Sequence, residues 1–203
     1  MAIHSFVLDP ARAPDRAHLD ITTEPGMNAT FDLYPTGGTR VTVQGTPVVN
    51  GFTTSADDLI AASGNRLTLV IATTMDARVA SQAILRGGRL NYPVPPMTAS
   101  CGHEFAFPLE GVGRGAWLYI ATPNGSPATG SVYQVNSAGT KIGTVNLDAY
   151  GVQILPLSVP HGQPTRICAS VQSVTPVLCQ LLVQRAQGME SMVVLPIAPA
   201  ALS

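Results

Sequence analysis

The chain carries its own sequence twice, and this limits the folds open to it more than any other feature. Residues 17–34 align without a gap on residues 116–133, 99 positions further on. Eight of the 18 positions are identical: Ala17/Ala116, Leu19/Leu118, Ile21/Ile120, Thr23/Thr122, Gly26/Gly125, Ala29/Ala128, Thr30/Thr129 and Tyr34/Tyr133. Chance identity over that length is about one position. The same spacing pairs His4 with His103 and Phe6 with Phe105. Neighbouring spacings pair Gly38-Thr39-Arg40-Val41 with Gly139-Thr140-Lys141-Ile142, and Gly51 with Gly151. They also pair Arg66-Leu67 with Arg166-Ile167, and Gln82-Ala83-Ile84-Leu85 with Gln180-Leu181-Leu182-Val183. A period of this size is that of a whole domain. The chain therefore reads as two tandem domains, 1–97 and 98–203, joined near the proline-containing stretch 95–100.

Each half shows short alternating segments between turn residues, the pattern of β-strands. In the first half these fall at 3–8, 19–23, 30–34, 40–44, 48–53, 66–73, 79–86 and 89–93. In the second they fall at 103–107, 117–121, 129–135, 141–146, 151–156, 165–172, 177–184 and 191–195. Gly37-Gly38, Ala138-Gly139 and Gly87-Gly88 are hairpin candidates, and Asn50-Gly51 and Asn124-Gly125 are turn dipeptides. The expected class is all-β, two tandem antiparallel sandwiches of immunoglobulin-like size, with a small jelly roll as the alternative. One helix is expected over 56–62. Ser55-Ala56-Asp57-Asp58 has the spacing of a capping box, and Gly64 follows as a stop.

Charge separates the function classes. The chain has 11 basic and 12 acidic residues among 203, a net charge of −1. The basic residues are scattered, and Lys141 is the single lysine. Phosphate recognition needs clustered cations, so nucleic acid is not expected as a ligand. No apolar run reaches the length of a membrane-spanning helix, and no membrane partner is expected. Residues 1–10 lack the basic and long apolar regions of a secretory signal, and Arg12, Asp15 and Arg16 follow, so none is expected.

No nucleophile elbow, zinc-protease motif or phosphate-binding glycine loop is present, so no catalytic residue is assigned and no enzyme is expected. Three cysteines, Cys101, Cys168 and Cys179, do not form a disulfide framework. Cys168 and Cys179 are expected opposite one another on a hairpin centred near Ser173-Val174, as small apolar residues. Cys101 and His103 alone are too few for a metal site, and no metal or cofactor is assigned. His4 and His103 occupy equivalent positions and read as packing or hydrogen-bonding residues. Asn28-Ala29-Thr30 and Asn124-Gly125-Ser126 match the glycosylation pattern and read as turns.

The aromatic residues offer the strongest binding signal. In Trp117-Leu118-Tyr119-Ile120, alternation places Leu118 and Ile120 on the core face and Trp117 and Tyr119 on the other. The matching first-half residues are His18 and Asp20. An outward Trp–Tyr pair suits a subunit contact or a sugar platform, unless the chain itself covers it. Arg12 and Arg16 lie in a segment that could strap the chain to a partner.

The stretch 117–147, with its turn Asn-Gly-Ser-Pro-Ala-Thr and later Ser-Ala-Gly-Thr hairpin, resembles bacterial and phage immunoglobulin-like sandwich modules. The resemblance implies an accessory domain of the kind found on virion surfaces, as capsid decoration or head-fibre parts, and in adhesins. It transfers no catalytic residue. The expected function is a non-enzymatic structural protein of a virus (phage) particle. It would sit in the virion and bind capsid or other virion proteins, as a homo-oligomer with a trimer favoured. The alternative is a carbohydrate-binding or adhesin module using Trp117 and Tyr119.

Overall fold

The computed structural model describes residues 2–12, 18–22, 29–48, 51–74, 83–87, 90–94, 101–109, 115–135, 139–158, 165–185 and 188–197. The chain divides into two compact units, Met1–Thr98 and Ala99–Ser203. The fold is all-β, built from antiparallel sheets with one short helix among the described residues.

The first unit contains β1 (Ala2–Leu8), β2 (His18–Thr22), β3 (Ala29–Pro35), β4 (Val41–Gln44), β5 (Thr46–Val48) and β6 (Gly51–Ser55). The helix α1 (Ala56–Ala62) follows, and then β7 (Thr68–Thr74), β8 (Ala83–Gly87) and β9 (Leu90–Val94). They form sheets ordered β1-β7-β3-β4 and β5-β6-β2-β8-β9. The second unit contains β10 (Cys101–Gly102), β11 (Glu104–Leu109), β12 (Gly115–Ala121), β13 (Ala128–Val135) and β14 (Thr140–Leu147). It continues with β15 (Val152–Leu157), β16 (Thr165–Ser173), β17 (Val177–Arg185) and β18 (Gly188–Val193). Its sheets are ordered β11-β16-β13-β14 and β10-β17-β12-β15, with β18 also pairing β17.

Setting aside the short β5 and β10, the two units share one topology. Eight strands run first–sixth–third–fourth in one sheet and fifth–second–seventh–eighth in the other. Adding four to each member of the first order, cyclically, gives the second. Each unit is therefore two interlocked four-strand halves, each lending its second strand to the sheet of the other. The first and second strands lie in different sheets, whereas the immunoglobulin constant-type order keeps them in one.

Alternation builds the core. In β3 the even burial of Ala29, Phe31, Leu33 and Pro35 against half-buried Thr30, Asp32 and Tyr34 gives a clean inner and outer face. In the second unit Phe105 and Phe107 of β11 and Ile167, Ala169 and Val171 of β16 meet Leu118 and Ile120 of β12. Cys179, Leu181 and Val183 of β17 complete the same cluster. The hairpin between β3 and β4 turns on Gly37, whose φ of +66° is open to glycine at no steric cost.

Several local expectations differ from the structure. The single strand expected at 48–53 is a hairpin, β5 pairing β6 with Val48 opposite Gly51. Ser55 is the N-cap of α1, but its side chain makes no cap hydrogen bond. The helix keeps the favourable dipole term of Asp57 and Asp58 in its first turn. The expected hairpin around Ser173-Val174 is absent, because β16 and β17 belong to different sheets and the connection crosses the sandwich. Cys179 sits in the core, Cys168 on the outer face of its sheet, and both are free thiols.

Register also corrects the duplication. Phe6 faces Val70 and Phe105 faces Ala169, so β7 and β16 match at 99 positions, and Leu67 corresponds to Arg166. Ile21 faces Ala83 while Ile120 faces Cys179, so β8 and β17 match at 96. Opposite Val132 and Tyr133 the facing strand β14 steps from Gly143 to Lys141, so β14 carries a bulge with Ile142 as its extra residue. That extra residue accounts for part of the drift in spacing.

Candidate functional site

Trp117 and Tyr119 lie in the middle of the second unit's larger sheet. Trp117 is flanked by Leu182 on β17 and Pro156 on β15, and Tyr119 by Gln180 and Ile154. Both are on the face away from the core, as alternation requires. They are not in open solvent. Tyr119 is only 1% exposed and Trp117 is half-buried. Leu178, Gln180 and Leu182 on the same face are also buried. Gln180 donates from Nε2 to Ser191 Oγ at 3.3 Å, a buried polar pair on that face. The outward aromatic pair thus lies on a largely buried part of the outer sheet face, the covered alternative left open by alternation. Burying Leu178 and Leu182 there contributes about 1.5–3 kcal/mol each.

The indole of Trp117 lies back along its own strand. A Cβ placed on Gly115 would come within 2.8 Å of its Cη2 atom. Gly115 is two residues away on the same face, so its missing side chain makes the seat for the ring.

Arg12 is half-buried in the turn after β1. Its Nη1 donates to Asp9 Oδ2 at 2.6 Å, while Asp9 Oδ1 accepts the amide of Ala11 at 3.0 Å. The arginine closes its own turn around a buried carboxylate. Arg16 lies outside the described residues.

The two histidines part company in the fold. His4 is fully buried on β1, whereas His103 is exposed between β10 and β11. Both hold the same register, since the His103 carbonyl accepts the amide of Val171. Nothing repeats there that could serve as a duplicated site. Among the described residues, no group of three or more His, Cys, Asp or Glu side chains could hold a metal ion. No helix among them is long and apolar enough to cross a membrane.

Two features escaped sequence reasoning. The first is a shallow depression of about 450 Å³ on the outer face of β11-β16-β13-β14, lined by Ala106, Phe107, Pro108, Val135, Thr165 and Arg166. In the strand register Arg166 stands between Pro108 and Val135. The second is the segment after β18. Val194 donates its amide to the Cys179 carbonyl and Ile197 to the Glu104 carbonyl, so four residues tie one sheet to the other. Pro196 bridges to Phe105 and packs where Gly102 has no side chain. Leu195 and Ile197 then point outward, 63% and 50% exposed. The signal for this strap is the alternation Val194-Leu195-Pro196-Ile197, which lies at and beyond the end of the expected last strand.

The fold and this geometry define an all-β protein of two duplicated antiparallel units. Comparison with protein-family models, with curated proteins and with solved structures finds no match for this chain.

Proposed function

We propose that this chain is a non-enzymatic structural protein of a virus (phage) particle, of the capsid-decoration or head-fibre type, acting through protein–protein contacts as a homo-oligomer, with a trimer favoured. The observation that carries the reading is the combination of a charge-poor chain with large apolar side chains in solvent. Val174 is 91% exposed, and Leu195 and Ile197 on the strap stand out together. A free monomer of 203 residues with a net charge of −1 gains little solubility from charge. A subunit buried in a large assembly removes those side chains from water and needs little charge. The mechanism is cementing: rigid sandwiches present apolar edges that neighbouring subunits cover.

The test replaces the exposed strap residues by charge in the double variant L195E/I197E. The expected result is a folded protein whose oligomer falls apart, read by light scattering with circular dichroism as the fold control. An unchanged mass would remove the strap from the contact surface.

A further inference from the structure

The first unit holds one of its own carboxylates in a way that its duplicate does not. On the outer face of β1-β7-β3-β4, Asp32 of β3 faces Thr42 of β4. Arg40 reaches the Asp32 carboxylate with two nitrogens, Nη2 to Oδ2 at 2.7 Å and Nε to Oδ1 at 3.2 Å. Thr42 donates its hydroxyl to Oδ1 at 2.7 Å. The Arg40 guanidinium also stands over the Tyr34 ring, 5.8 Å from its centre. A tyrosine, a cation and a threonine hydroxyl thus surround a carboxylate that the chain supplies itself.

The second unit keeps the tyrosine, a cation and the threonine. Ser131 faces Ser170 as Asp32 faces Ile71, and Thr144 faces Ser131 as Thr42 faces Asp32. Past the β14 bulge Lys141 faces Tyr133, in the places of Arg40 and Tyr34. The carboxylate alone is lost, with Ser131 standing where the first unit has Asp32. Among the described residues neither the Lys141 ammonium nor the Thr144 hydroxyl has an ion-pair or hydrogen-bond partner. Both residues are exposed, and so is Tyr133, at 39%. A second cation stands one row along, Arg166, where the first unit has Leu67. It is exposed and borders the depression formed with Ala106, Phe107, Pro108, Val135 and Thr165.

We infer that this face of the second unit binds an acidic segment of a partner protein, whose carboxylate takes the position that the Asp32 side chain holds in the first unit. The Lys141 ammonium and the Thr144 and Ser131 hydroxyls donate to it, and Tyr133 packs along its aliphatic stem. An apolar side chain of the same segment then lies in the depression. Tyr133 and Val135 are about 7 Å apart along β13, which is the repeat of side chains i and i+2 on one face of an extended peptide. The apolar lining at Pro108, Phe107 and Val135 favours such a side chain over a hydroxylated sugar. Lys141 and Arg166 together favour a segment of net negative charge. The inference deepens the proposed function and rests on it for the partner being a protein.

The experiment measures binding of the full chain to an array of short peptides that carry Asp or Glu two positions from Leu, Val or Phe. The same peptides with Asn or Gln in place of the acid are the comparison. The acidic set is expected to bind about tenfold or more tightly than the amide set, as a charge-assisted contact requires, and to weaken with salt. Ser131→Asp gives the second unit the first unit's own carboxylate, and Lys141→Ala removes the cation; each is expected to abolish the preference. Lys141→Arg is expected to keep it, since Arg40 fills that place in the first unit. Circular dichroism checks each fold, and should S131D not fold, K141A carries the comparison alone. The inference is overturned if acidic and amide peptides bind alike, if neither set binds, or if K141A keeps the preference. It is overturned equally if a polygalacturonate oligosaccharide binds through Lys141 while no acidic peptide does, because the ligand is then a glycan. Light scattering of the unaltered chain tests the oligomeric reading separately, so a chain that forms its oligomer yet shows no acidic preference contradicts this inference and not the proposed function.

Discussion

Phe31 and Gly130 hold the same place in the two units. Phe31 on β3 faces Ala72, and Gly130 on β13 faces Val171. Phe31 is completely buried. At Gly130 a Cβ would stand 2.3 Å from the Ser170 carbonyl oxygen and 2.9 Å from the Val171 Cα on the neighbouring strand. The first unit fills this part of its core with Phe31 and His4, whereas the second carries glycine in place of the phenylalanine and leaves His103 in solvent. One topology is thus packed in two ways, with a large side chain at this position in one unit and none in the other.

The obstruction at Gly130 is backbone, which cannot rotate away. Gly130→Ala is therefore expected to destabilise the second unit by about 2–3 kcal/mol, as overpacking of a tight core does. Urea unfolding measures it. A change below about 0.5 kcal/mol, the range of ordinary surface substitutions, would show that the strands separate freely there.

Trp117 is the chain's single tryptophan, so its fluorescence reports on its seat alone. Gly115→Ala puts a methyl group against the indole, 2.8 Å from Cη2 and 3.1 Å from Cζ2. The ring must swing off the strand. The emission maximum is expected to move toward the red as the indole gains water, with the far-ultraviolet circular dichroism unchanged. An unshifted spectrum would contradict the placement of the ring on Gly115.

The three thiols divide by burial. Cys179 lies within the core, and burial pushes its thiol well up from the ordinary range, holding it neutral and unreactive. Cys101 and Cys168 are half-buried and not in a disulfide. A small thiol reagent is expected to label two cysteines in the native protein and three after denaturation, as read by mass spectrometry. Because the folded-state value of Cys179 is raised, its contribution to stability is fully present below the unfolded value, about 8.5, and declines as pH rises above it. Three labels on the native chain would place Cys179 outside the core.

Much of the fold was legible in the residues because alternation and turn chemistry are local. Leu118 and Ile120 declare the core face of β12, and Gly37 and Gly139 mark hairpins that both adopt positive φ. Non-local facts were harder to read. Alternation assigns Trp117 and Tyr119 to the outer face but says nothing of whether that face is covered, and a sheet buried on both sides reads the same as one with a wet face. The similarity of Arg66-Leu67 to Arg166-Ile167 is off by one residue from the true register, because Leu67 corresponds to Arg166. A one-residue slip exchanges inner and outer faces, so only the hydrogen-bonded partners settle it. Val177–Arg185 follows β16 after a short connection, which suggests a hairpin; the strand joins the other sheet instead. The strap at Val194–Ile197 depends on Gly102 and Glu104, some 90 residues earlier in the chain, and no local pattern foretells that contact.

The central claim is that this duplicated, charge-poor chain is a subunit of an assembly. The most direct measurement is the mass of the full chain in solution by light scattering across a wide concentration range. The account predicts one discrete oligomer, a trimer, whose mass does not climb further as concentration rises. A species of 21.1 kDa at every concentration would contradict it.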